Sequence, residues 1–298
     1  MKIITFDIGG TFIKYALCDE SFVLSQSTKI PTDAKALGGK GIIEKVIEII
    51  KSIDGLDRVA ISTAGQVDSE TGTVVFATDN IPGYTGTKIK EMIESETGVL
   101  AYVENDVNAA ALGEAYFGKA KGYNDFICLT YGTGIGGAVW LNGDLYKGSF
   151  CSAGEMGHII THADGADCTC GGKGCYECYA SARALVNSVN KISDESLDGV
   201  KIFEKENFEK PEIRAEVDRW INEIVTGLIS IVYTFNPSLI VLGGGIMNED
   251  YIVNSINETI QSRLMPSFRN VKIVNSNLGN GAGMLGVAYK AANMNKNS

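Results

Sequence analysis

Four of the seven cysteines lie within eleven consecutive positions, in the segment CTCGGKGCYEC. Three of them, Cys168, Cys170 and Cys175, form with His158 a set of one imidazole and three thiols, which suits tetrahedral Zn²⁺. Four protein ligands leave no position for an activated water, so the predicted metal is structural. The alternative is a loop of reduced, metal-free thiols, and the density of the cluster favours zinc. Cys178 is extra to this set, and we interpret it as a packed helix residue.

Three glycine-rich turns follow apolar segments that have the pattern of strands. Backbone amides with no side chain in the way can bind phosphate oxygens, and a nearby carboxylate can hold Mg²⁺ through water. A single turn of this kind is usually a tight connection, but three of them with an acid and threonines favour phosphate binding. No Walker pattern GxxxxGK[ST] is present and no GxGxxG opens a helix, which argues against a P-loop or Rossmann site. The predicted nucleotide-binding residues are Asp7, Gly9, Gly10, Thr11, Lys14, Gly132, Thr133, Gly134, Gly244 and Gly245.

Asp106 lies where a predicted strand ends and a predicted helix begins, in VENDVN. Phosphoryl transfer to an alcohol needs a carboxylate that accepts the hydroxyl proton, and a residue at this place in the chain can present one. The alternative is that Asp106 or Asn105 only caps the helix, as such residues commonly do. The residues alone leave both interpretations open.

The chain of 298 residues carries a formal net charge of −10 and has a pI near 4.8. A nucleic-acid ligand needs a basic face on the protein, so this charge argues against one and favours a small-molecule substrate. The first residues, MKIITFDIGG, have the pattern of a strand and a turn and not of a signal peptide, and no apolar run is as long as a membrane span. We therefore expect a cytoplasmic protein with no membrane partner, in which cysteines stay reduced.

The apolar patterns predict alternating strands and helices. A strand, a Gly/Thr turn and a second strand occur at 3–19 and again at 125–140, and this repeat predicts duplicated lobes. We place an N-terminal lobe at 1–117, with a final helix at about 282–298 packing back on it, and a C-terminal lobe at 118–281. The other predicted elements are strands at 58–65, 99–106, 239–245 and 271–276, helices at 41–53, 85–98, 107–118, 177–192, 211–235 and 249–264, and a zinc-binding loop at 158–178.

The motifs DIGGT, END, GTGIGG, GEMGH and CTCGGKGCYE resemble, in order and spacing, those of the ROK family of sugar kinases and repressors in the actin/hexokinase superfamily. The resemblance implies a two-lobed, actin-like (ribonuclease H-like) α/β ATPase fold with a cleft between the lobes. It implies that Asp106 is the general base, that zinc is held by His158 and the three cysteines, and that the protein is a homodimer. The implied sugar-binding residues are Gly65, Asn105, Asp106, Glu155, His158 and Glu177, with Ala64 before Gly65 where the family often has proline.

The leading hypothesis is an ATP- and Mg²⁺-dependent kinase that transfers the γ-phosphate to a hydroxyl of a hexose or an N-acetylhexosamine. Glucose or N-acetylmannosamine, at the 6-hydroxyl, is the preferred substrate. A second hypothesis is a sugar-responsive ROK-type regulator without its DNA-binding domain, although only six residues precede Asp7, which favours the kinase. A third is a zinc-stabilised sugar-binding protein without turnover. We expect that removing zinc weakens sugar binding and leaves the phosphate-binding turns intact.

Overall fold

The computed structural model describes residues 1–294 and shows a mixed α/β chain. Its strands are β1 (Ile3–Ile8), β2 (Phe12–Cys18), β3 (Leu24–Pro31), β4 (Arg58–Thr63), β5 (Gln66–Asp68), β6 (Thr73–Phe76), β7 (Ala101–Asn105), β8 (Phe126–Tyr131), β9 (Ile135–Leu141), β10 (Asp144–Tyr146), β11 (Leu239–Gly243) and β12 (Lys272–Asn275). Its α-helices are α1 (Ala34–Lys51), α2 (Ile89–Thr97), α3 (Asp106–Phe117), α4 (Glu177–Ala180), α5 (Ala182–Val189), α6 (Lys205–Phe208), α7 (Pro211–Phe235), α8 (Asp250–Arg263) and α9 (Ala282–Ala292). Short 3₁₀ turns lie at Met156–His158, Lys201–Phe203, Gly245–Asn248, Pro266–Phe268 and Gly279–Gly281.

The chain divides into two compact units. Within the described residues, the first unit comprises 1–122, 145–153 and 280–294, and the second comprises 123–144 and 154–279. The segment 145–153, placed with the C-terminal lobe from the sequence, lies with the first unit, where Lys147 forms an ion pair with Glu104 of β7. Helix α9 lies with the first unit, and positions 295–298 of the predicted final helix lie outside the described residues.

The first unit is built on a five-stranded sheet with the order β3-β2-β1-β4-β7. Strands β1, β4 and β7 run parallel, and β2 is antiparallel to β1. The parallel strands are buried along nearly their whole length, as expected for a parallel sheet covered on both faces. Helices α3 and α9 pack closely because Gly286 has no Cβ, which would clash with the carbonyl of Ala109. This packing fixes α3, the helix that begins at Asp106.

The second unit repeats this topology in a sheet with the order β10-β9-β8-β11-β12. Strand β9 is antiparallel to β8, and β8, β11 and β12 are parallel. The repeat predicted from the two strand, turn, strand patterns is therefore present in the structure. Helix α7 covers the core of this unit, and Tyr176 lies under it, donating its hydroxyl to the carbonyl of Ile224 at 2.9 Å.

The predicted helix at 177–192 is instead two helices, α4 and α5, separated at Ser181. Ser181 has extended backbone angles and its side chain accepts a hydrogen bond from the amide of Ala184, so it caps a new helix. Its carbonyl also accepts a hydrogen bond from the indole of Trp220 at 3.0 Å. Among the helices of residues 1–294, none combines the length and the apolar composition that crossing a membrane requires.

Candidate active site and metal centre

Strand β7 ends at Asn105 and α3 begins at Asp106. The side-chain contacts of these two residues distinguish the helix cap from the candidate general base. The side-chain oxygen of Asn105 accepts hydrogen bonds from the amides of Val107 and Asn108, both at 3.0 Å, so Asn105 is the helix cap. The side-chain amide of Asn105 donates to Asp106 Oδ1 at 2.9 Å and to the carbonyl of Gly65 at 2.8 Å. Asp106 is therefore held in place by its neighbour while Asn105 does the capping.

The environment of Asp106 raises the pKa of its carboxyl to about 6. Burial is the main cause, and the negative charge of Asp7 adds to it. Hydrogen bonds from the Val107 amide and the Asn105 side chain act in the opposite direction. A carboxylate with a pKa just below neutral pH is ionised under physiological conditions and still basic enough to accept a proton. The local chemistry suits a general base.

Asp7 lies on β1 beside the first glycine turn. Its carboxylate is 3.3 Å from the ammonium of Lys14, the residue directly opposite it on β2, and it accepts a hydrogen bond from Ser62 at 3.5 Å. The amide of Gly9 donates to the carbonyl of Phe12 and closes the turn, so this amide is already used. Within residues 1–294, the amides of Gly10 and Thr11 have no acceptor, so these two amides of the turn can still bind an anion.

The turn after β4 contains Ala64 and Gly65. Gly65 has a φ of +94°, and a Cβ there would be 2.9 Å from the carbonyl of Phe76, so the position requires glycine. The amide of Ala64 donates to the carbonyl of Ile8 at 3.0 Å. Proline has no amide hydrogen, so this chain forms a hydrogen bond here that the family's frequent proline cannot form.

Replacing Ala64 by proline is expected to lower the free energy of unfolding by about 1–3 kcal/mol, because the Ile8 carbonyl loses its donor. Chemical denaturation of the variant measures this change. Ala64→Ser, which keeps the amide, serves as the control and should stay close to the unmodified chain. Equal stability of the proline and serine variants would show that this hydrogen bond contributes nothing.

The second glycine turn, between β8 and β9, is connected to Glu177. The amide of Gly132 donates to the carbonyl of Gly134 at 3.0 Å, whereas the amides of Thr133 and Gly134 have no acceptor in the described part of the chain. Buried Glu177 accepts a hydrogen bond from the amide of Ile135 at 3.3 Å. Its carboxylate also occupies the space that a Cβ on Gly134 would need. A side chain at 134 would therefore displace the Glu177 carboxylate.

In the third turn, after β11, two glycines have different surroundings. Gly244 has a φ of +105° and packs so closely on the carbonyl of Tyr131 that no side chain fits. Packing alone therefore accounts for Gly244. Gly245 faces open space and stays a predicted nucleotide contact.

The four predicted zinc ligands do come together. One ligand atom from each of His158, Cys168, Cys170 and Cys175 lies within 4.8 Å of all the others. Cys170 Sγ is 3.6 Å from Cys175 Sγ, and Cys168 Sγ is 3.7 Å from His158 Nδ1. Tetrahedral zinc with Zn–S bonds near 2.3 Å places its ligand atoms roughly 3.7 Å apart. The cluster fits a zinc ion in both ligand type and spacing.

The loop that carries these ligands is folded by its own backbone. The amide of Cys168 donates to the carbonyl of Gly172, and the amide of Gly171 donates back to the carbonyl of Cys168, at 2.8 and 3.0 Å. Cys178 lies outside the cluster on α4, and its thiol donates to the carbonyl of Asp167. The other histidine, His162, stacks on the ring of Tyr179 and does not belong to the cluster.

Acidic side chains lie on both sides of the His158 ring. Nδ1 faces the metal cluster and is 4.0 Å from Glu177 Oε1, while Nε2 is 4.0 Å from Glu155 Oε2. Glu177 Oε1 also accepts a hydrogen bond from the thiol of Cys168 at 3.4 Å. If Nδ1 binds the metal, Nε2 keeps its hydrogen and can donate it outside the cluster.

Two residues that form a buried ion pair next to Asn105, Glu104 and Lys147, were not selected from the sequence. Glu104 is completely buried and forms an ion pair with Lys147 at 2.8 Å. The sequence feature that could have identified Glu104 is a glutamate inside the apolar strand segment VLAYVE, since a buried carboxylate needs a partner. The identity of that partner could not be read from the sequence.

Two sheets of the same strand order, each with a glycine turn in its first hairpin, define an actin-like α/β protein, here with a Cys/His metal loop in addition. The chain belongs to the ROK family, whose family model matches residues 3–293. A glucokinase of Streptomyces coelicolor is 33% identical over 305 residues, covering 95% of each chain.

Two solved structures extend this comparison. A ROK family glucokinase from Streptomyces griseus, in complex with glucose and AMPPNP, has a TM-score of 0.85 at 30% identity. The match covers 99% of this chain and 100% of that one. A putative N-acetylmannosamine kinase from Listeria monocytogenes has a TM-score of 0.87 at 28% identity, covering 98% of this chain and 99% of that one. The family and the α/β, actin-like fold class expected from the motifs are confirmed.

Proposed function

We propose that this chain is an ATP-dependent sugar kinase that transfers the γ-phosphate to a hydroxyl of a hexose or an N-acetylhexosamine. The observation that carries the proposal is the state of Asp106, a carboxyl with a pKa of about 6 held by Asn105 at the start of α3. The helix cap is provided by Asn105, so capping does not account for the carboxyl at position 106.

In the proposed reaction, Asp106 accepts the proton of the attacking sugar hydroxyl. The hydroxyl oxygen forms a bond to the γ-phosphorus of ATP, the bond from that phosphorus to the bridging oxygen breaks, and ADP leaves. Asp7 would hold Mg²⁺ through water, and the metal supplies neutralisation of the phosphate charge. In the metal-free chain the charge of Asp7 raises the pKa of Asp106, and Mg²⁺ held at Asp7 would offset this effect.

We assign sugar recognition to hydrogen-bonding groups that match the family motif. Asn105 and the backbone of Gly65 lie beside Asp106 and are joined by the hydrogen bond between them. Glu155, His158 and Glu177 supply further partners, since a sugar offers mainly hydroxyls to recognise. We favour glucose or N-acetylmannosamine, phosphorylated at the 6-hydroxyl, as the substrate.

Nucleotide binding is assigned to the glycine turns. The amides of Gly10, Thr11, Thr133 and Gly134, which have no acceptor within residues 1–294, are available for phosphate oxygens. Lys14 contributes a positive charge beside Asp7, and Gly245 offers open space for closer approach of the nucleotide. The zinc ion has a structural role in this scheme, and a homodimer is the proposed assembly.

A coupled assay of ADP release over a panel of sugars tests the proposal. We expect turnover that requires both Mg²⁺ and a sugar, with glucose or N-acetylmannosamine giving the highest kcat/KM. Reactions without sugar measure background ATP hydrolysis and serve as the control. If no hexose or N-acetylhexosamine increases ADP release above that background, the kinase assignment is wrong.

A further inference from the structure

Glu104 is the acidic residue before Asn105, and its side chain is completely buried, with 0% of its surface exposed. Its Oε1 accepts hydrogen bonds from the backbone amide of Asn105 at 3.1 Å and from the side chain of Asn108 at 3.2 Å. Its Oε2 accepts a hydrogen bond from the hydroxyl of Tyr102 at 2.9 Å. One carboxylate thus holds the residue before Asp106 and the residue two positions after it.

The counterion of Glu104 comes from a different part of the chain. The ammonium of Lys147, 26% exposed, is 2.8 Å from Glu104 Oε2 and also donates to the hydroxyl of Ser69. Lys147 lies at the start of a loop closed by a hydrogen bond from the amide of Ala153 to the Lys147 carbonyl. A second tether joins this loop to the first unit, because the Ser152 hydroxyl donates to the side-chain oxygen of Gln66 at 2.7 Å.

Stability alone does not account for such a pair. Removing two charges from water is costly, and an apolar pair of the same volume is often at least as stable as a buried ion pair. The carboxylate instead fixes the positions of its neighbours, since it can accept hydrogen bonds from Asn105, Asn108 and Tyr102 at once. Its own charge is tolerated in the buried position only because Lys147 neutralises it.

We propose that Glu104 and Lys147 are positioning residues for the general base. Glu104 fixes Asn105 and the first turn of α3, Asn105 in turn fixes the carboxylate of Asp106, and Lys147 pairs with the Glu104 carboxylate and orients it. Neither residue touches the reacting atoms in this scheme. The inference rests on the proposed kinase function, since it concerns the residue that would accept the substrate proton.

The test compares Lys147→Met with Lys147→Arg, Glu104→Gln and the double variant Glu104→Gln/Lys147→Met. Lys147→Met leaves a buried carboxylate without a counterion, and we expect kcat to fall by about 10- to 100-fold, as expected for a small displacement of a catalytic group. Lys147→Arg keeps the charge and should stay within about threefold of the unmodified enzyme. The double variant removes both charges and should recover part of the loss.

A surface ion pair in the same unit provides a matched control. Lys51 and Glu96 are 2.7 Å apart and both about half exposed, so Lys51→Met removes an ion pair of similar length without a buried charge. It should leave kcat unchanged. The KM for ATP should also stay constant in every variant, because no hydrogen bond or ion pair among residues 1–294 joins the first glycine turn to Glu104 or Lys147. General loss of structure would instead change kcat and both KM values together.

Hydrogen exchange of the Val107 and Asn108 amides gives a second readout that does not depend on turnover. Faster exchange in Lys147→Met, reversed in Lys147→Arg, supports the positioning role even if Lys147→Met is too unstable for kinetics. If the unmodified chain turns over no sugar, the proposed function fails, and exchange still decides whether the pair orders α3. Unchanged kcat in Lys147→Met, or a double variant no better than the single one, would overturn the proposal.

Discussion

Replacing Asp106 by asparagine is expected to lower kcat by about 10³-fold, because asparagine cannot accept the proton of the attacking hydroxyl. The shape of the side chain and its acceptor for the Val107 amide are kept, so the sugar and nucleotide should still bind. Coupled ADP release measures kcat, and calorimetry of sugar binding measures the affinity. Asp250→Asn, at an exposed position in the first turn of α8, is the control and should have unchanged kinetics.

The same substitution is expected to stabilise the fold, with a dependence on pH that identifies the cause. The pKa of Asp106 is raised from 3.8 to about 6 in the folded chain, so the folded state binds the proton more tightly than the unfolded state. The carboxyl therefore costs no stability below pH 4 and costs progressively more as the pH rises to about 6 and above. Asp106→Asn should gain about 2–3 kcal/mol at pH 8 and nothing at pH 4.

The pH dependence of the unmodified enzyme provides an independent check. A base with a pKa of about 6 is protonated below that pH, so kcat/KM should fall about tenfold per pH unit on the acid side. An Asp106→Asn variant with normal turnover would remove this residue from its proposed role. A variant that is inactive but no more stable at pH 8 would show that the raised pKa is not a property of the free enzyme.

The sequence was most informative where the residues of a feature are close together in the chain. Strand β1 is an apolar run broken by one acid and β2 alternates, so both could be predicted from the local pattern. The zinc ligands lie close together in the chain, so their convergence could be expected from spacing. The edge strand β3, LSQSTKIP, was not predicted because most of its side chains are exposed and it has no alternating apolar pattern. Local sequence carries little signal for a strand defined by its pairing with β2.

Features formed by distant residues could not be predicted in the same way. The ion pair of Glu104 with Lys147 joins a buried strand to a loop far along the chain, and no periodicity connects the two. The contact of Glu177 with the turn at Gly134 is similar, because it depends on how α4 packs on the second sheet. The Asn105 cap was one of two readings in the sequence, and only the geometry of its side chain distinguishes them.

The contact between Glu177 and the second glycine turn changes one expectation about zinc. Removal of the metal was expected to leave both phosphate-binding turns intact. Glu177 follows the ligand Cys175 by two residues and accepts a hydrogen bond from the amide of Ile135, so disorder of the metal loop should also affect the second turn. The first turn, which is held by hydrogen bonds within the first unit, should be unaffected.

Cys168→Ser and Cys175→Ser are expected to remove about one equivalent of zinc per chain and to lower the affinity for sugar by at least about tenfold. The physical reason is that the metal would orient His158 and would fix the loop that leads from Cys175 to Glu177. Metal analysis of the purified chain gives the stoichiometry, and calorimetry gives the sugar affinity. Cys178→Ser is the matched control, since its thiol lies on the adjacent helix but outside the cluster.

The pH dependence of zinc binding gives the same experiment a second readout. Burial, followed by the neighbouring thiols Cys170 and Cys168, raises the pKa of Cys175 to about 12 in the metal-free chain, so this thiol is protonated at neutral pH. Zinc must displace that proton, and its apparent affinity should therefore weaken as the pH falls. A metal-free preparation with full sugar affinity would separate the cluster from substrate binding. A full equivalent of zinc in Cys168→Ser would show that this thiol is not a ligand.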